Sequence, residues 1–88
     1  MEKYKLAFKK SVSKDLRAIP DKDVARLLES FDALADEPRG HHAEKLTAQN
    51  RYRIRQGAHR ILYEVDDDRR RVTVVKVGHR REVYRKKN

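Results

Sequence analysis

An 88-residue chain is too short to build two separate apolar cores, so its length predicts a single domain over residues 1–88. Because cysteine is absent, disulfides and thiolate metal sites are excluded. The net charge of +9 is uneven, since residues 51–88 carry thirteen basic and five acidic side chains and residues 1–50 carry ten and nine. This imbalance favours a nucleic acid or an acidic protein as partner over a merely solvated surface.

The opening segment MEKYKLAFKK alternates charged and apolar residues and lacks the continuous apolar run of a signal peptide or a membrane-spanning helix. We therefore expect a cytoplasmic protein that is not associated with a membrane. The four histidines, His41, His42, His59 and His79, do not follow a metal-ligand spacing. We accordingly expect no metal site and no cofactor.

The first part of the chain predicts a strand followed by a helical hairpin. Lysines alternate at the start with the apolar side chains Tyr4, Leu6 and Phe8, the period-two pattern of a strand. A helical spacing of apolar residues begins at Val12 and ends before Pro20. A second helical stripe ends at residues 38–40 and consists of Val24, Leu27, Leu28, Phe31, Leu34 and Ala35.

Three further strands are predicted after a connecting loop at residues 41–50, which contains a short extended piece around Leu46. Residues 51–55 and 60–65 alternate in polarity, whereas residues 72–77 are apolar on both faces, as in an interior strand. The order predicts an α+β domain in which a strand, a helical hairpin and a three-stranded antiparallel meander form a mostly antiparallel sheet with the helices on one face. The polar residues from His79 onward are expected to lie across the sheet.

The turn between the first two strands of the meander decides which side chains face one another. If the turn is Gln56-Gly57, Arg53 lies directly opposite Arg60, with Arg51 and Arg55 on the same face and His59 towards the core. We call Arg51, Arg53, Arg55 and Arg60 the arginine face. Solvation of an open sheet face explains any one of them, but like charges placed opposite each other destabilise a sheet. Their convergence therefore favours phosphate binding, because the planar guanidinium donates two parallel hydrogen bonds to phosphate.

These residues, in this order, resemble the RelE/ParE superfamily of toxins from type II toxin–antitoxin systems. The resemblance covers nearly the whole chain and is carried mainly by YRIR at 52–55, HRILYEVDD at 59–67 and VGHRREVYR at 77–85. KSVSKDLRAIP at 10–20, DEPRG at 36–40 and EKL at 44–46 support it. The superfamily contains both ribonucleases and gyrase poisons, so the resemblance indicates the fold more specifically than the activity.

The ribonuclease branch implies a metal-free cleavage of messenger RNA in the ribosomal A site. A ribose 2′-hydroxyl attacks the adjacent phosphate and leaves a 2′,3′-cyclic phosphate and a 5′-hydroxyl. Carried over residue by residue, the active site implied by the resemblance consists of Arg53, Arg55, Arg60, Arg80 and Tyr84. Arg51 and Arg81 are expected to bind RNA beside it.

The identity of the general base is open at this point. The family often has lysines where this chain has Arg53 and Arg55, and arginine is too strongly basic to give up its proton at neutral pH. His79 is a candidate because an imidazole exchanges protons near neutral pH, although a surface histidine in a basic tail is an equal alternative. Tyr84 either acts on the RNA, by stacking on a nucleobase or donating a proton, or packs the tail onto the sheet.

The resemblance also implies partners. An acidic antitoxin is expected to cover the basic half, and the resulting hetero-oligomer is expected to bind its own operator; the ribosome and messenger RNA are the expected targets. The alternative function is a non-enzymatic gyrase inhibitor on the same fold, and Arg60, Arg80 and Tyr84 favour the ribonuclease over it. A plain nucleic-acid-binding module explains the charge but not the ordered motifs.

Overall fold

The computed structural model describes residues 3–40, 42–46 and 50–79, which form two helices and a five-stranded sheet. The elements in chain order are β1 (Lys5–Phe8), α1 (Lys10–Arg17), α2 (Asp21–Asp36), β2 (Glu44–Lys45), β3 (Arg51–Gln56), β4 (His59–Asp66) and β5 (Arg71–His79). The strand order is β1-β5-β4-β3-β2, with β1 parallel to β5 and the remaining pairs antiparallel. The predicted α+β fold is confirmed, and β2 supplies the short extended piece, just before Leu46.

The core lies between the helical hairpin and one face of the sheet. Its helical part consists of Val12, Ile19, Leu27, Phe31, Leu34 and Ala35, and its sheet part of Tyr52, Ile61, Tyr63, Val65, Val72, Val74 and Val77. Leu28, which the apolar stripe of α2 assigned to the core, is instead 50% exposed, because α2 directs the neighbouring Leu27 towards the core. No helix within the described part of the chain is long and apolar enough to cross a membrane.

The β3–β4 hairpin has a register different from the predicted one. The turn residues are Gly57 and Ala58, so that Arg55 lies opposite Arg60 and Arg53 lies opposite Leu62. Gly57 has φ +62°, a backbone conformation that glycine adopts readily and that suits the first central position of a tight hairpin turn. The predicted Arg53–Arg60 pair is therefore wrong. The shift is two residues, however, so every side chain keeps its predicted face.

The end of β5 pairs with β4 on one side and is held by helix α1 on the other, where β1 has ended. β1 pairs with β5 only from Arg71 to Val74, and beyond that point the Asp15 carboxylate of α1 accepts hydrogen bonds from the Val77 backbone N–H (3.1 Å) and the Lys76 ammonium (3.2 Å). Asp15 thereby satisfies a backbone donor of the sheet edge. β5 continues to His79, two residues beyond the predicted strand, because Gly78 and His79 pair with Arg60 and His59 of β4.

A polar network holds the loop after α2 against the sheet. Arg39 donates two hydrogen bonds to Asp67 (3.0 and 2.9 Å) and one to the Tyr52 hydroxyl (2.7 Å), and Tyr4 donates to Asp67 (2.7 Å). The Arg39 guanidinium and the Tyr4 hydroxyl hold the pKa of the Asp67 carboxyl below its usual range. The network joins the N-terminal segment, the loop after α2 and the β4–β5 turn. The arginine of the DEPRG segment, Arg39, is the residue at its centre.

The buried hydroxyl of Tyr63 makes a second contact with the same loop. It donates to the Pro38 carbonyl (2.7 Å), and burial raises the pKa of Tyr63, so the donor stays protonated. We predict that Tyr63→Phe lowers the free energy of unfolding by about 1–3 kcal/mol, because the buried carbonyl loses its donor. Tyr4→Phe, which removes a hydroxyl from an exposed hydrogen bond, is the matched control and should have little effect. Urea denaturation of both variants measures the difference, and equal losses would contradict the assignment.

Candidate nucleic-acid interface

The arginine face lies on the side of the sheet opposite the helices. Tyr52 and Ile61, on β3 and β4, point into the core, so the alternate positions of both strands point away from it. Arg55 is exposed, whereas Arg60 is only 9% exposed. The expectation that Arg60 faces solvent is therefore wrong: Arg60, on the middle strand β4, is buried. Its partners in the two neighbouring strands are Arg55 and Gly78.

Two carboxylates from neighbouring strands balance part of the arginine face. Glu44 of β2 lies opposite Arg53 and accepts hydrogen bonds from its guanidinium, and Glu64 of β4 lies opposite Arg51 and pairs with it. Both pairs are partly exposed, so each contributes little stability by itself. These pairs offset part of the like-charge repulsion within the arginine face, and the two opposed arginines, Arg55 and Arg60, lie at one end of it.

Glu44 lies within the field of three arginines. Its pKa is lowered from the ordinary value of 4.5, first by the hydrogen bond from Arg53 and then by the positive charges of Arg53, Arg55 and Arg60. The carboxylate thus occupies a position where the local charge favours an anion. A phosphate group carries the same sign of charge and the same type of acceptor oxygen, so the cluster has the charge and donors that a phosphate requires.

The two strand histidines lie on the other face. His59 and His79 are directly opposite each other on β4 and β5, with ring centroids 6.2 Å apart. Ile61 and Val77, the next directly opposed pair on the same face, are buried in the core, so both histidines point to the helix side. The predicted coreward direction of His59 agrees with this geometry. His79 does not share a face with Arg60, so its position does not favour it as the general base.

The structure brings together Arg51, Arg53, Arg55 and Arg60. Arg80, Arg81 and Tyr84 lie outside the described residues, so their part in the site stays a prediction. Glu44 was missed as a candidate, although EKL at 44–46 was among the segments that support the resemblance. Strand periodicity gave no indication of its role because β2 is only two residues long, and only its pairing with β3 brings Glu44 to the arginine face.

Comparison with known proteins identifies the family. Residues 6–84 match the ParE toxin family of type II toxin–antitoxin systems. The chain belongs to this family. The toxin is also similar to Toxin RelG of Mycobacterium tuberculosis (strain ATCC 25618 / H37Rv), with 29% identity over 85 residues that cover 94% of this chain and 98% of the relative.

Solved toxin structures share the fold of this toxin. The toxin in the toxin–antitoxin complex RelBE2 from Mycobacterium tuberculosis superposes with a TM-score of 0.78 at 28% identity, covering 90% of this chain and 93% of the other. The archaeal RelE–RelB complex from Pyrococcus horikoshii OT3 gives a TM-score of 0.80 at 28% identity, covering 89% and 96%. The superfamily resemblance is thereby confirmed at the level of both sequence and fold.

The interaction of Glu44 with the arginines predicts how the thermal stability of the toxin depends on pH and on added phosphate. Because the folded-state pKa of Glu44 is lowered, its contribution to stability is present above the ordinary value of 4.5 and is lost as pH falls through the lowered pKa. Glu44→Gln should therefore lower the thermal midpoint at pH 7, with the difference shrinking in acid. Added phosphate should raise the midpoint of Glu44→Gln more than that of the parent toxin.

The matched control is Glu29→Gln, an exposed position of α2 outside this cluster. Its midpoint should respond to phosphate as the parent toxin does. Differential scanning fluorimetry across pH, with and without phosphate, measures both effects. A Glu44→Gln midpoint that phosphate raises no more than that of the control would contradict an anion site at Glu44.

Proposed function

We propose that this toxin is a ribosome-dependent endoribonuclease that cleaves messenger RNA in the A site. The observation that carries the proposal is the cluster of Arg53, Arg55 and Arg60 around the Glu44 carboxylate, on a sheet face that the helices leave open. A cluster that combines several phosphate donors with a carboxylate contains groups for both charge stabilisation and proton transfer.

The reaction requires the ribose 2′-oxygen to form a bond to phosphorus while the bond to the 5′-oxygen of the next nucleotide breaks. Negative charge on the phosphate oxygens grows in the transition state, and Arg55 and Arg60 are positioned to donate to them. Burial of Arg60 strengthens its interaction with that charge, because the local dielectric is lower than in water. In this proposal Arg80 and Tyr84 complete the site, with Tyr84 as the proton donor to the leaving 5′-oxygen.

Glu44 replaces His79 as the preferred general base in this proposal. Its carboxylate is ionised at neutral pH and lies among the arginines that would hold the phosphate, whereas His79 lies with His59 on the helix side. A lowered pKa makes Glu44 a weak base, but proximity to the 2′-hydroxyl offsets part of that weakness. The arginines that lower its pKa would also acidify the 2′-hydroxyl, since they stabilise the developing negative charge.

We also propose that an acidic antitoxin is the physiological partner. Similar toxins have been solved with RelB-type antitoxins from Mycobacterium tuberculosis and Pyrococcus horikoshii OT3. The net charge of +9 and the exposed Arg55 favour a partner that supplies carboxylates. Gyrase inhibition is the second candidate function, because the sequence matches a family described as the ParE toxin of the parDE system. The buried, opposed Arg60 and the adjacent carboxylate favour the ribonuclease.

Arginine substitutions test the activity. We predict that Arg55→Ala slows cleavage by ~10²-fold or more, the usual effect of losing a donor to transition-state charge, with little change in stability because Arg55 is exposed. Arg60→Lys should also impair cleavage, since lysine keeps the charge but loses the planar fork. Arg69→Ala, in the exposed β4–β5 turn, is the control and should leave cleavage unchanged.

The measurement is single-turnover cleavage on programmed ribosomes, together with mapping of new 5′ ends on translated messages after induction in cells. Arrest of growth without new 5′ ends, accompanied by inhibition of gyrase supercoiling, would replace the ribonuclease with the second candidate. Cleavage by Arg55→Ala at the rate of the parent toxin would contradict the proposed site while leaving the activity established.

The general base is tested by pH. If Glu44 is the base, the cleavage rate should be flat from about pH 5.5 to 8, because its pKa is below the ordinary value of 4.5. Glu44→Gln should then reduce the rate by ~10²-fold or more, and His79→Gln should retain it. A rate that rises through the range of an imidazole and loses that limb in His79→Gln would assign the base to His79 instead.

A further inference from the structure

A cavity opens beside the arginine face where β2 ends. β2 pairs with β3 only at Arg53 and Tyr52, and β3 continues to Gln56 beyond it. The cavity lies between this open edge of β3, helix α2 and the loop that leads into β2. Its volume is about 490 Å³, within the roughly 300–1,000 Å³ of sites that bind small molecules.

The lining of the cavity combines apolar walls with a few polar groups. Ala33 and Leu34 of α2 and Ile54 of β3 provide apolar surface, and Ser30 and Gln56 provide polar groups that hydrogen-bond to each other (2.8 Å). The titratable side chains of Glu37 and His42 complete the polar part of the lining. Ile54 is only half-buried and packs at the margin of the core. An aromatic ring with polar edges matches such a site, since its faces contact apolar walls and its edges hydrogen-bond.

Arg55 belongs to both the cavity and the arginine face. Its side chain lies opposite Arg60 on the open face of the sheet, and the residue also lines the cavity. The backbone carbonyl of Arg51 accepts from Leu46 on the β2 side, and alternation along an antiparallel strand directs the backbone groups of Arg53 and Arg55 to the same edge. The ladder to β2 ends at Arg53, so the N–H and C=O of Arg55 face the cavity edge.

We propose that this cavity receives one nucleobase of the RNA strand whose phosphate lies on the arginine face, and that it sets the base preference of cleavage. The inference rests on the proposed function, because the phosphate position comes from it. Arg55 then contacts one nucleotide twice, through its guanidinium at the phosphate and through its backbone at the base. Unpaired bases are recognised in proteins by this combination of apolar contact and hydrogen bonds to the base edge.

The alternative occupant, an apolar peptide segment, fits the setting less well. A peptide would use the apolar walls, but it supplies no group equivalent to a phosphate at a fixed distance from a flat ring. The cavity and the arginine cluster meet at Arg55, and a nucleotide joins an anion to a flat, mostly apolar ring in one covalent unit. The positive charge of the arginine face and the apolar walls of the cavity together favour a nucleotide at this junction.

The test compares nucleotides with phosphate alone. The purified toxin is titrated with AMP, GMP, CMP, UMP and inorganic phosphate, and binding is followed by amide chemical shifts. We expect at least one nucleotide to bind ten-fold or more tightly than phosphate, with shifts at Ala33 and Ile54 as well as on the arginine face. Equal affinity for all four nucleotides and phosphate, or shifts confined to the arginine face, would overturn the proposal.

A matched pair of variants tests whether the additional affinity for nucleotides comes from the cavity. Ala33→Phe fills the cavity from an exposed position of α2, and Ala25→Phe makes the same change at another exposed position of the same helix, away from the cavity lining. Ala33→Phe should reduce nucleotide affinity to that of phosphate and leave phosphate affinity unchanged, and Ala25→Phe should bind both as the parent toxin does. Equal weakening of nucleotide and phosphate by Ala33→Phe would contradict a base pocket.

The same variants separate this inference from the proposed function. On programmed ribosomes, Ala33→Phe should cleave all codons at similar rates, whereas Ala25→Phe should keep the preference of the parent toxin. If Ala33→Phe binds phosphate and cleaves RNA with the codon preference of the parent toxin, the proposed function stands and the base pocket is ruled out. Failure of phosphate itself to bind would overturn both.

Discussion

The two-residue period of the β3–β4 hairpin is the constraint on which the molecule depends. Tyr52 and Tyr63 stack on the core side with ring centroids 5.7 Å apart, and the alternate positions must then point to the opposite face. A register error of one residue would bury guanidinium groups and expose the aromatic core. The same pairing that stabilises the core therefore creates the charged face, so the fold and the candidate site share one structural cause.

The charge of that face is balanced only locally. Glu44 and Glu64 form ion pairs with Arg53 and Arg51, and Arg55 and Arg60 lie opposite each other at one end of the face. Glu44 is held by a two-residue edge strand, so little backbone structure fixes it in place. A carboxylate in this position limits the repulsion among the arginines, and in the proposed reaction it would also accept a proton.

The helices contribute by fixing the sheet rather than by lining the arginine face. Asp15 holds the end of β5, and the Arg39–Asp67 pair joins the loop after α2 to the β4–β5 turn. The first contact joins α1 to β5, and the second joins two connecting segments to each other. The segment that carries Arg39 precedes β2, which carries Glu44.

The sequence by itself determined the order of the elements, the separation of apolar and arginine faces and the family resemblance, because these follow from local periodicity and short motifs. It also placed His59 on the core side, since alternation along a strand is a local property. Three features required the tertiary structure: the opposition of Arg55 to Arg60, the burial of Arg60 and the presence of Glu44 beside the arginines. Each depends on which residues from separate strands lie side by side, and the turn geometry at Gly57 and a two-residue edge strand decide that pairing.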